Sequence, residues 1–359
     1  MHCCNTSDAQ CMRRCLQLAR CGQGSTSPNP MVGALIVHDG RIIGEGYHIK
    51  AGEPHAEVNA VKSVRDCDRR LLSASTMYVT LEPCSHYGKT PPCCDMIISC
   101  GIPRVVIGVA DSNVQVNGAG ISRMRAAGID VVVGVLESEC FRLNHSFFTS
   151  HDKRRPFVTL KWAQSADAYI DAVRDGGAPV SISTPVSRLA VHKVRAWHDA
   201  ILVGTNTALQ DNPSLDVRHW AGRAPLRLVV DRYGRLPLTI RLFDGTVPTV
   251  VYTEVERECL HGKNIEQVIL DSSSDTVSQI LGHLHSRNVN SLLVEGGAAL
   301  LQSFIDSSLW DVARVEVNRS LFLVSGVKAP VLEYCAVHAE KNYGKNEILF
   351  YTPKIPHKF

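Results

Sequence analysis

The sequence predicts two α/β domains that follow one another along the chain. The chain has 359 residues, which is more than one typical domain holds and suits two. Short apolar runs alternate with helical patterns over its whole length, as in layered α/β folds. A polar stretch, residues 150–156, separates the two halves. We therefore expect one domain at 1–150 and a second at 151–359.

The first half contains a regular series of helices and strands. Ser7 or Asp8 can cap a first helix, whose apolar stripe includes Cys15 and Leu16. Asp39-Gly40 is a hairpin turn between two apolar runs. In chain order, the predicted elements are helix 7–21, strands 32–37 and 41–47, helix 55–64, strand 77–81, helix 92–100, strand 104–109, helix 121–127 and strand 131–133.

The second half repeats this alternation. Its predicted elements are strand 157–162, helix 185–197, strands 200–203, 226–231, 249–252 and 268–270, helix 278–285, strand 291–294, helix 298–305 and strand 314–317. Glu295-Gly296-Gly297 joins a strand to a helix, where glycines let a phosphate approach backbone N–H groups. A plain tight turn explains the same motif equally well.

Composition narrows the class of protein. The net charge of +3 does not by itself indicate nucleic-acid binding. The sequence has no run of 18 apolar residues and no apolar signal core in its first twenty residues, so we expect a cytoplasmic protein without a membrane partner. The 13 cysteines are odd in number, which disfavours a disulfide framework. Reduced thiols then serve as core filler or as metal ligands.

A zinc site is the strongest functional signal. His55 and Glu57 are two helical steps apart, so their side chains diverge by about 200°. One metal ligand and one acid–base group is therefore a better interpretation than two ligands. Cys84 follows a predicted strand, and Cys93 and Cys94 begin a predicted helix, where the helix N-terminus favours the zinc-binding thiolate.

One histidine and two cysteines leave the fourth zinc position open, which is typical of a catalytic site. Zinc lowers the pKa of a water in that position to roughly 7, and Glu57 would pass its proton to a leaving nitrogen. Nucleobase deaminases carry a related signature with Cys-x-x-Cys. Here Tyr87 takes the place of its second cysteine. The second thiolate is therefore Cys93 or Cys94, of which Cys93, directly after the prolines, is preferred.

Three segments resemble the bifunctional deaminase–reductase family of riboflavin biosynthesis. They are Ser27–Gly33 (SPNPMVG), Gly52–Glu57 (GEPHAE) and Val79–Cys94 (VTLEPCSHYGKTPPCC). The long segment between Cys84 and Cys93 is similar to that of this family and unlike that of tRNA adenosine and cytidine deaminases.

The resemblance implies an architecture and a pair of reactions. A cytidine-deaminase-like three-layer α/β/α domain would be followed by a dihydrofolate-reductase-like α/β domain. The first domain would use Zn²⁺ to deaminate a diaminohydroxyphosphoribosylamino-pyrimidine, and the second would use NADPH to reduce the ribosyl group to ribityl. The partners implied are a phosphorylated pyrimidine and further copies of the chain in a homo-oligomer, without nucleic acid.

The resemblance also implies roles for individual residues. In the deaminase half, Glu57 would be the proton donor. The zinc ligands would be His55, Cys84 and Cys93, and the pyrimidine pocket would include Asn29, His86 and Lys89. In the reductase half, substrate would contact Arg195, Leu215, Arg218 and Glu295, with the arginines on the ribose phosphate. NADPH would contact Ala163, Ser181, Thr207, Asp211, Arg232 and the stretch from Gly297, with Arg232 near the 2′-phosphate.

Departures from the family pattern concentrate in the second half. Ala168 replaces a glycine, Tyr169 replaces a basic residue, and Ser181 stands where an aromatic residue is common. A short insertion lies near 175–177, and residues 111–113 read Asp-Ser-Asn where the family has Asp-Pro-Asn-Pro. A deaminase with a degenerate reductase domain, acting only as a dimerisation platform, is therefore one alternative. A nucleic-acid base deaminase and a non-catalytic zinc-stabilised binding module are two others.

Overall fold

The computed structural model describes residues 7–87, 91–111, 118–174, 177–262 and 264–354. The chain divides into two compact units, of which the first ends at Arg154 and the second begins at Arg155. Among the described residues, no helix has both the length and the apolar character needed to cross a membrane. The expectations for Lys89, for Asn113 and for the insertion at 175–176 fall outside the described residues.

The first unit is built around a five-stranded sheet. Its elements are α1 (Asp8–Arg20), β1 (Gly33–His38), β2 (Arg41–Tyr47), α2 (Ala56–Lys62), a 3-10 helix (Asp66–Ala74), β3 (Thr76–Leu81), α3 (Cys93–Ser99), β4 (Arg104–Val109), α4 (Ala119–Ala126), β5 (Asp130–Val133), α5 (Glu137–Leu143) and α6 (His145–Lys153). The strand order is β2-β1-β3-β4-β5. The pairs β1–β2 and β1–β3 are antiparallel, and β3–β4 and β4–β5 are parallel.

Alternation along the strands explains the three layers. Ile36 and Met77 belong to a core cluster that also contains buried residues of α2, α3 and α4. Their neighbours Leu35 and Tyr78 belong to a second cluster with residues of α1, α5 and α6. Successive strand residues point to opposite faces of a sheet, so each face has its own helical layer. The expected α/β/α arrangement is confirmed, although α5 and α6 were not predicted from the sequence.

The second unit contains a nine-stranded sheet. Its elements are β6 (Phe157–Ser165), β7 (Tyr169–Asp171), α7 (Pro185–Ala196), β8 (Ala200–Gly204), α8 (Thr205–Asp211), β9 (Leu226–Val230), β10 (Thr249–Thr253), β11 (Ile265–Ile269), α9 (Thr276–Ser286), β12 (Ser291–Gly296), α10 (Ala298–Asp306), β13 (Val312–Asn318), β14 (Val327–Lys328), β15 (Cys335–Tyr343) and β16 (Asn346–Pro353). Short 3-10 helices span Arg241–Phe243 and Glu258–Leu260.

The strand order of this sheet is β11-β10-β9-β8-β12-β6-β13-β16-β15. The strands from β11 to β13 are parallel, and β16 and β15 add an antiparallel hairpin. Ligands of open parallel sheets bind beyond the carboxyl ends of the strands. At these ends lie the residues that follow β8 and β12, which is where the sequence predicts a cofactor contact.

Ala168 occupies the turn between β6 and β7 with a φ of +64°. This left-handed conformation is readily adopted by glycine but costs other residues roughly 1–2 kcal/mol. The glycine that the family carries here is therefore suited to the backbone conformation, which this chain reaches with a strained alanine.

Candidate active sites

Three side chains of the first unit converge on one point. His55 precedes α2 with an extended backbone, Cys84 follows β3, and Cys93 is the first residue of α3. The Nδ1 atom of His55 lies 3.6 Å from the Sγ of Cys84 and 3.4 Å from the Sγ of Cys93. All three ligand atoms lie within 4.8 Å of one another. The structure therefore brings together the three residues that the sequence predicts as metal ligands.

The spacing of these atoms suits zinc. A tetrahedral zinc ion with its usual Zn–N and Zn–S bond lengths separates a nitrogen and a sulfur ligand by about 3.6 Å. The observed His55–Cys84 and His55–Cys93 distances match this value closely. The donor set of one imidazole and two thiols is also typical of catalytic zinc sites, since three protein ligands leave one position open.

A backbone hydrogen bond joins Cys84, after β3, to Cys93 at the start of α3. The backbone N–H of Cys93 donates to the Sγ of Cys84 at 3.3 Å. Hydrogen bonds from Cys93 and His55 lower the pKa of the Cys84 thiol below its usual range, which favours the metal-binding thiolate at this position. The neighbouring Cys94 points elsewhere, since its Sγ lies 3.6 Å from Oδ1 of Asp95. Of the two alternatives, the geometry therefore favours Cys93.

Glu57 is buried beside the His55, Cys84 and Cys93 side chains. It is only 4% exposed. Burial raises the pKa of its carboxyl to about 7, while the nearby His55 opposes the shift. A carboxyl that titrates near neutrality can both accept and release a proton. As predicted, this short segment supplies one metal ligand, His55, and one acid–base group, Glu57.

The other predicted pocket residues differ in their surroundings. Asn29 is partly buried, and its Nδ2 lies 3.1 Å from Nε2 of His48. The His48 ring contacts the His55 ring edge-on, with centroids 5.6 Å apart. Burial lowers the pKa of His48. His86 is exposed on the segment after Cys84. His48 was not predicted as a functional residue, because a single histidine after a strand carries no motif.

Glu82 was also missed as a functional residue. It directly precedes Pro83-Cys84 and is 4% exposed. Its carboxylate accepts four backbone hydrogen bonds of 3.0–3.2 Å, from Asp111, Gly118, Gly120 and Ile121. The carboxylate therefore ties Asp111, just after β4, and the start of α4 to the strand end that supplies Cys84. The signal for this role in the sequence is the Glu-Pro-Cys segment, residues 82–84.

The second unit contains a large cavity beyond β6, β8 and β12. Its volume is about 1050 Å³, at the upper end of the range for small-molecule sites. Seven residues predicted for the reductase site line it: Ala163, Ser181, Arg195, Thr207, Asp211, Glu295 and Gly297. A Cβ atom placed on Gly297 would lie 3.1 Å from Oγ1 of Thr207. Glycine therefore keeps this approach to the N-terminus of α10 open, where backbone N–H groups suit a phosphate.

Ion pairs already engage several of these side chains. Arg195 and Glu295 form a double hydrogen bond, with distances of 2.9 and 2.7 Å. Asp211 accepts from Arg174 at 2.5 Å, and Ser181 accepts from Arg188 at 3.0 Å. Arg174 and Arg188 line the cavity but were not predicted. Arg174 lies outside the regular elements, whereas Arg188 lies on the predicted helix α7, where the pattern indicates the helix but not which side chains face a cavity.

Three predicted reductase residues lie elsewhere. Leu215 is 2% exposed and belongs to a core cluster. Arg232 pairs with Glu254 and does not line the large cavity. Arg218 lines a neighbouring cavity of about 630 Å³. Four residues line both cavities: Lys161, Ser183, Arg188 and Arg195.

Lys161 was not predicted as a functional residue, although its position in the sequence is unusual. It interrupts the apolar strand β6, where a lysine is unusual. Burial lowers the pKa of its ammonium group, and the carboxylate of Glu295 opposes this. A lysine with a depressed pKa at the junction of two cavities is suited to proton exchange with a bound ligand.

Comparisons with known proteins agree with both halves of this description. Residues 5–109 match the model of the cytidine and deoxycytidylate deaminase zinc-binding region, and residues 156–318 match that of the RibD C-terminal domain. The riboflavin biosynthesis protein RibD of Aquifex aeolicus is 40% identical over 309 residues, which is 85% of each chain. This chain belongs to the RibD family. The RibD protein of Escherichia coli is 35% identical over 85% of each chain.

Solved structures of RibD proteins have the same fold. A diaminohydroxyphosphoribosylaminopyrimidine deaminase/5-amino-6-(5-phosphoribosylamino)uracil reductase from Thermotoga maritima matches with a TM-score of 0.88 and 38% identity, covering 96% of this chain and 98% of its own. Acinetobacter baumannii RibD matches with a TM-score of 0.86 and 31% identity over the same shares. The expected cytidine-deaminase-like unit followed by a dihydrofolate-reductase-like unit is thereby confirmed.

As a RibD protein, the chain is a two-domain enzyme of riboflavin biosynthesis that combines a zinc-dependent deaminase with a reductase. Its cofactors are Zn²⁺ and NADPH. The donor set at His55 suits the metal, and the glycine-lined cavity at Gly297 suits a phosphate-bearing cofactor.

Proposed function

We propose that residues 1–150 deaminate the pyrimidine named for the Thermotoga relative, and that residues 151–359 then reduce its ribosyl group with NADPH. The observation that carries this proposal is the trio His55, Cys84 and Cys93 beside the buried Glu57. A bound zinc ion would supply a Lewis acid that activates water at neutral pH. A non-catalytic zinc module would have no use for a buried acid at this position.

The residues of the chain have separate roles in the deamination. His55, Cys84 and Cys93 hold the metal. Glu57 takes a proton from the attacking water and delivers it to the departing amino group, so that ammonia leaves. Asn29, His86 and Lys89 bind the pyrimidine ribonucleotide, and the buried position of Glu57 limits proton exchange with bulk solvent.

The two cavities of the second unit suggest separate places for the cofactor and the substrate. We assign the nicotinamide cofactor to the large cavity, with Ala163, Ser181, Thr207, Asp211 and the segment from Gly297 as its contacts. The neighbouring cavity is lined by Lys161, Arg188, Arg195 and Arg218, and no carboxylate is among the described residues that line it. This positive lining suits the phosphate of the substrate. Glu295 completes the proposed substrate contacts. Leu215, buried in the core, and Arg232, outside the large cavity, keep only the roles that the family resemblance implies.

One assay with two readouts tests the main proposal. Zinc-loaded protein is given the diaminopyrimidine ribonucleotide, with and without NADPH, and both ammonia release and NADPH absorbance are followed. We expect ammonia in both cases and loss of NADPH only after deamination. Ammonia without NADPH loss would leave a deaminase with an inactive second unit. The absence of both signals would contradict the proposed substrate.

Variants assign the roles within each site. Glu57→Ala should abolish ammonia release while the zinc content stays at the wild-type level, and retained turnover would contradict the role of Glu57. Arg218→Ala should raise the KM of the reductase by about 10- to 100-fold, the usual effect of losing a charge-assisted hydrogen bond. Arg223→Ala is the matched control, since Arg223 pairs with Asp199 and lines neither cavity.

We further propose that the protein acts as a cytoplasmic homo-oligomer on small molecules and does not bind nucleic acid. The eleven cysteines of the described residues all carry free thiols, which suits a reducing compartment. Val337 on the edge strand β15 and Tyr334 just before it are exposed apolar side chains, which favour self-association along this edge. Light scattering after size exclusion should give a multiple of the 39.3 kDa chain mass, and a monomer would contradict this proposal.

A further inference from the structure

His48 links a predicted substrate contact to the segment that carries a metal ligand. It follows β2 and is 2% exposed. Its Nδ1 lies 3.1 Å from the carbonyl oxygen of Pro54, the residue before His55. Its Nε2 lies 3.1 Å from Nδ2 of Asn29. Both ring nitrogens are therefore within hydrogen-bonding distance of a partner, and each partner restricts where the ring proton can be.

The Pro54 carbonyl determines the tautomer of His48. A carbonyl oxygen only accepts hydrogen bonds, so Nδ1 must carry the proton. In a neutral imidazole Nε2 then carries none and acts as an acceptor. The same Pro54 oxygen also accepts a hydrogen bond from the side chain of Asn59 at 3.3 Å. Asn59 in turn donates to the carbonyl of Tyr47 at 2.9 Å, which secures the segment on both sides of His48.

The tautomer of His48 determines the orientation of the Asn29 amide. An acceptor at Nε2 requires a donor opposite it, and only the NH2 group of Asn29 can donate. A flipped amide would place its oxygen against the lone pair of Nε2 and leave both groups unsatisfied. The Asn29 oxygen is therefore directed away from His48, and no group of the described residues donates to it.

We propose that His48 is a positioning residue of the deaminase, which fixes the Asn29 amide so that its oxygen, and not its NH2 group, is presented to the substrate. This inference rests on the proposed deaminase function. A fixed carbonyl oxygen accepts hydrogen bonds, so it selects rings that offer an N–H or an amino group at this contact. Rings with a bare nitrogen or a carbonyl at the same place are rejected, because two acceptors would then face each other.

A double-mutant cycle tests whether His48 acts through Asn29. The variants are His48→Leu, Asn29→Ala and the combination of both. Ammonia release is measured for each, with kcat normalised to the bound zinc, and KM is determined alongside. We expect His48→Leu to raise KM about tenfold with little change in kcat, since one oriented hydrogen bond is lost. In the Asn29→Ala background the same substitution should have almost no further effect on KM. An equal effect in both backgrounds would overturn the proposal.

Two further variants separate positioning from packing. His48→Gln keeps an acceptor that reaches Asn29 and should restore KM to within about threefold of the wild type. His48→Asn keeps a polar side chain too short to reach Asn29 and should resemble His48→Leu; it replaces that variant in the cycle if the leucine protein fails to fold. If glutamine is no better than asparagine, the positioning role is excluded.

The ring proton can also be located directly. In protein with isotope-labelled histidine, the nitrogen chemical shifts of His48 should show the proton on Nδ1, and a proton on Nε2 would contradict the inference. This readout does not depend on turnover. If the wild type shows the expected tautomer but releases no ammonia, the proposed function fails while the geometry of His48 stands. If it releases ammonia and the cycle is additive, only the positioning role fails.

Discussion

Arg195 and Glu295 form a bidentate ion pair that lines the large cavity of the second unit. The Nε and Nη2 atoms of the arginine donate to the two carboxylate oxygens at 2.9 and 2.7 Å. Both side chains were expected to contact substrate. The ion pair therefore fixes both side chains before a ligand binds. The remaining nitrogen, Nη1 of Arg195, donates to the Asp216 carbonyl at 3.3 Å.

This ion pair predicts a dependence of stability on pH. Burial opposes the charge on Glu295, but the nearby Arg195 prevails and lowers the pKa of its carboxyl to about 2. A carboxyl with a lowered folded-state pKa stabilises the fold above its unfolded pKa and loses this contribution as the pH falls toward the folded value. Glu295→Gln should therefore lower the unfolding free energy of the second unit by about 3 kcal/mol at pH 7.

The loss of unfolding free energy caused by Glu295→Gln should become progressively smaller below about pH 4.5. Urea unfolding of wild type and variant at neutral and acidic pH measures it. Glu254→Gln is the matched control, because the Arg232–Glu254 pair is more exposed and such pairs contribute at most about 1 kcal/mol. A Glu295→Gln penalty that is small or independent of pH would contradict the prediction.

Zinc binding should distinguish two adjacent cysteines. Cys93 contributes its Sγ to the ligand trio, whereas the Sγ of Cys94 lies against Asp95. Cys93→Ser should therefore lose most of its zinc and its deaminase activity, since a serine hydroxyl is a poor zinc ligand. Cys94→Ser should retain both. Metal analysis of the two purified variants checks this, and zinc loss from Cys94→Ser alone would reverse the assignment.

Replacement of Ala168 by glycine should stabilise the second unit. Ala168 has a φ of +64°, and glycine relieves the cost of that conformation, although it also adds freedom to the unfolded chain. We expect a net gain of about 1 kcal/mol, or about 2–4 °C in Tm. Differential scanning calorimetry measures the change. The matched control is Ala299→Gly, within α10, which should lower Tm, as glycine does in a helix.

Neutralising Glu82 should loosen the start of α4. A glutamine keeps one acceptor oxygen but turns an NH2 group toward backbone N–H donors. Glu82→Gln should therefore accelerate hydrogen exchange at Gly120 and Ile121 by about 30-fold, corresponding to about 2 kcal/mol of lost hydrogen bonding. Glu139→Gln, at an exposed position on α5, should leave these amides unchanged. Equal protection in wild type and Glu82→Gln would show that the carboxylate does not hold the start of α4.

Local patterns sufficed for much of the fold and for the metal site. The apolar runs of β3 and β4 and the caps of α1 are encoded within a few residues, so they could be predicted directly. The trio of His55, Cys84 and Cys93 could be predicted because a catalytic zinc site restricts both ligand type and number.

Other features depend on contacts between residues that are distant in sequence. The Arg195–Glu295 pair joins positions 100 residues apart, and no local pattern indicates it. The hairpin of β15 and β16 escaped prediction because β15 mixes charged and apolar residues and is largely exposed. His48 was overlooked for a related reason: its role depends on the Pro54 carbonyl and on Asn29, which come together only in the folded chain.

The attachment of Cys84 and Cys93 has an evolutionary consequence. The first follows a sheet strand, the second begins a helix, and backbone hydrogen bonds from Cys93 N–H to Cys84 Sγ and from Cys94 N–H to Cys84 O join the two points. The positions of the two sulfurs are thus fixed by these contacts and not by the residues between Cys84 and Cys93. Lengthening the chain between them costs little free energy. Insertions there can change which molecule is admitted while the metal stays in place. An ancestral deaminase could therefore have diversified its substrates by exchanging one segment, without passing through a form that had lost its zinc.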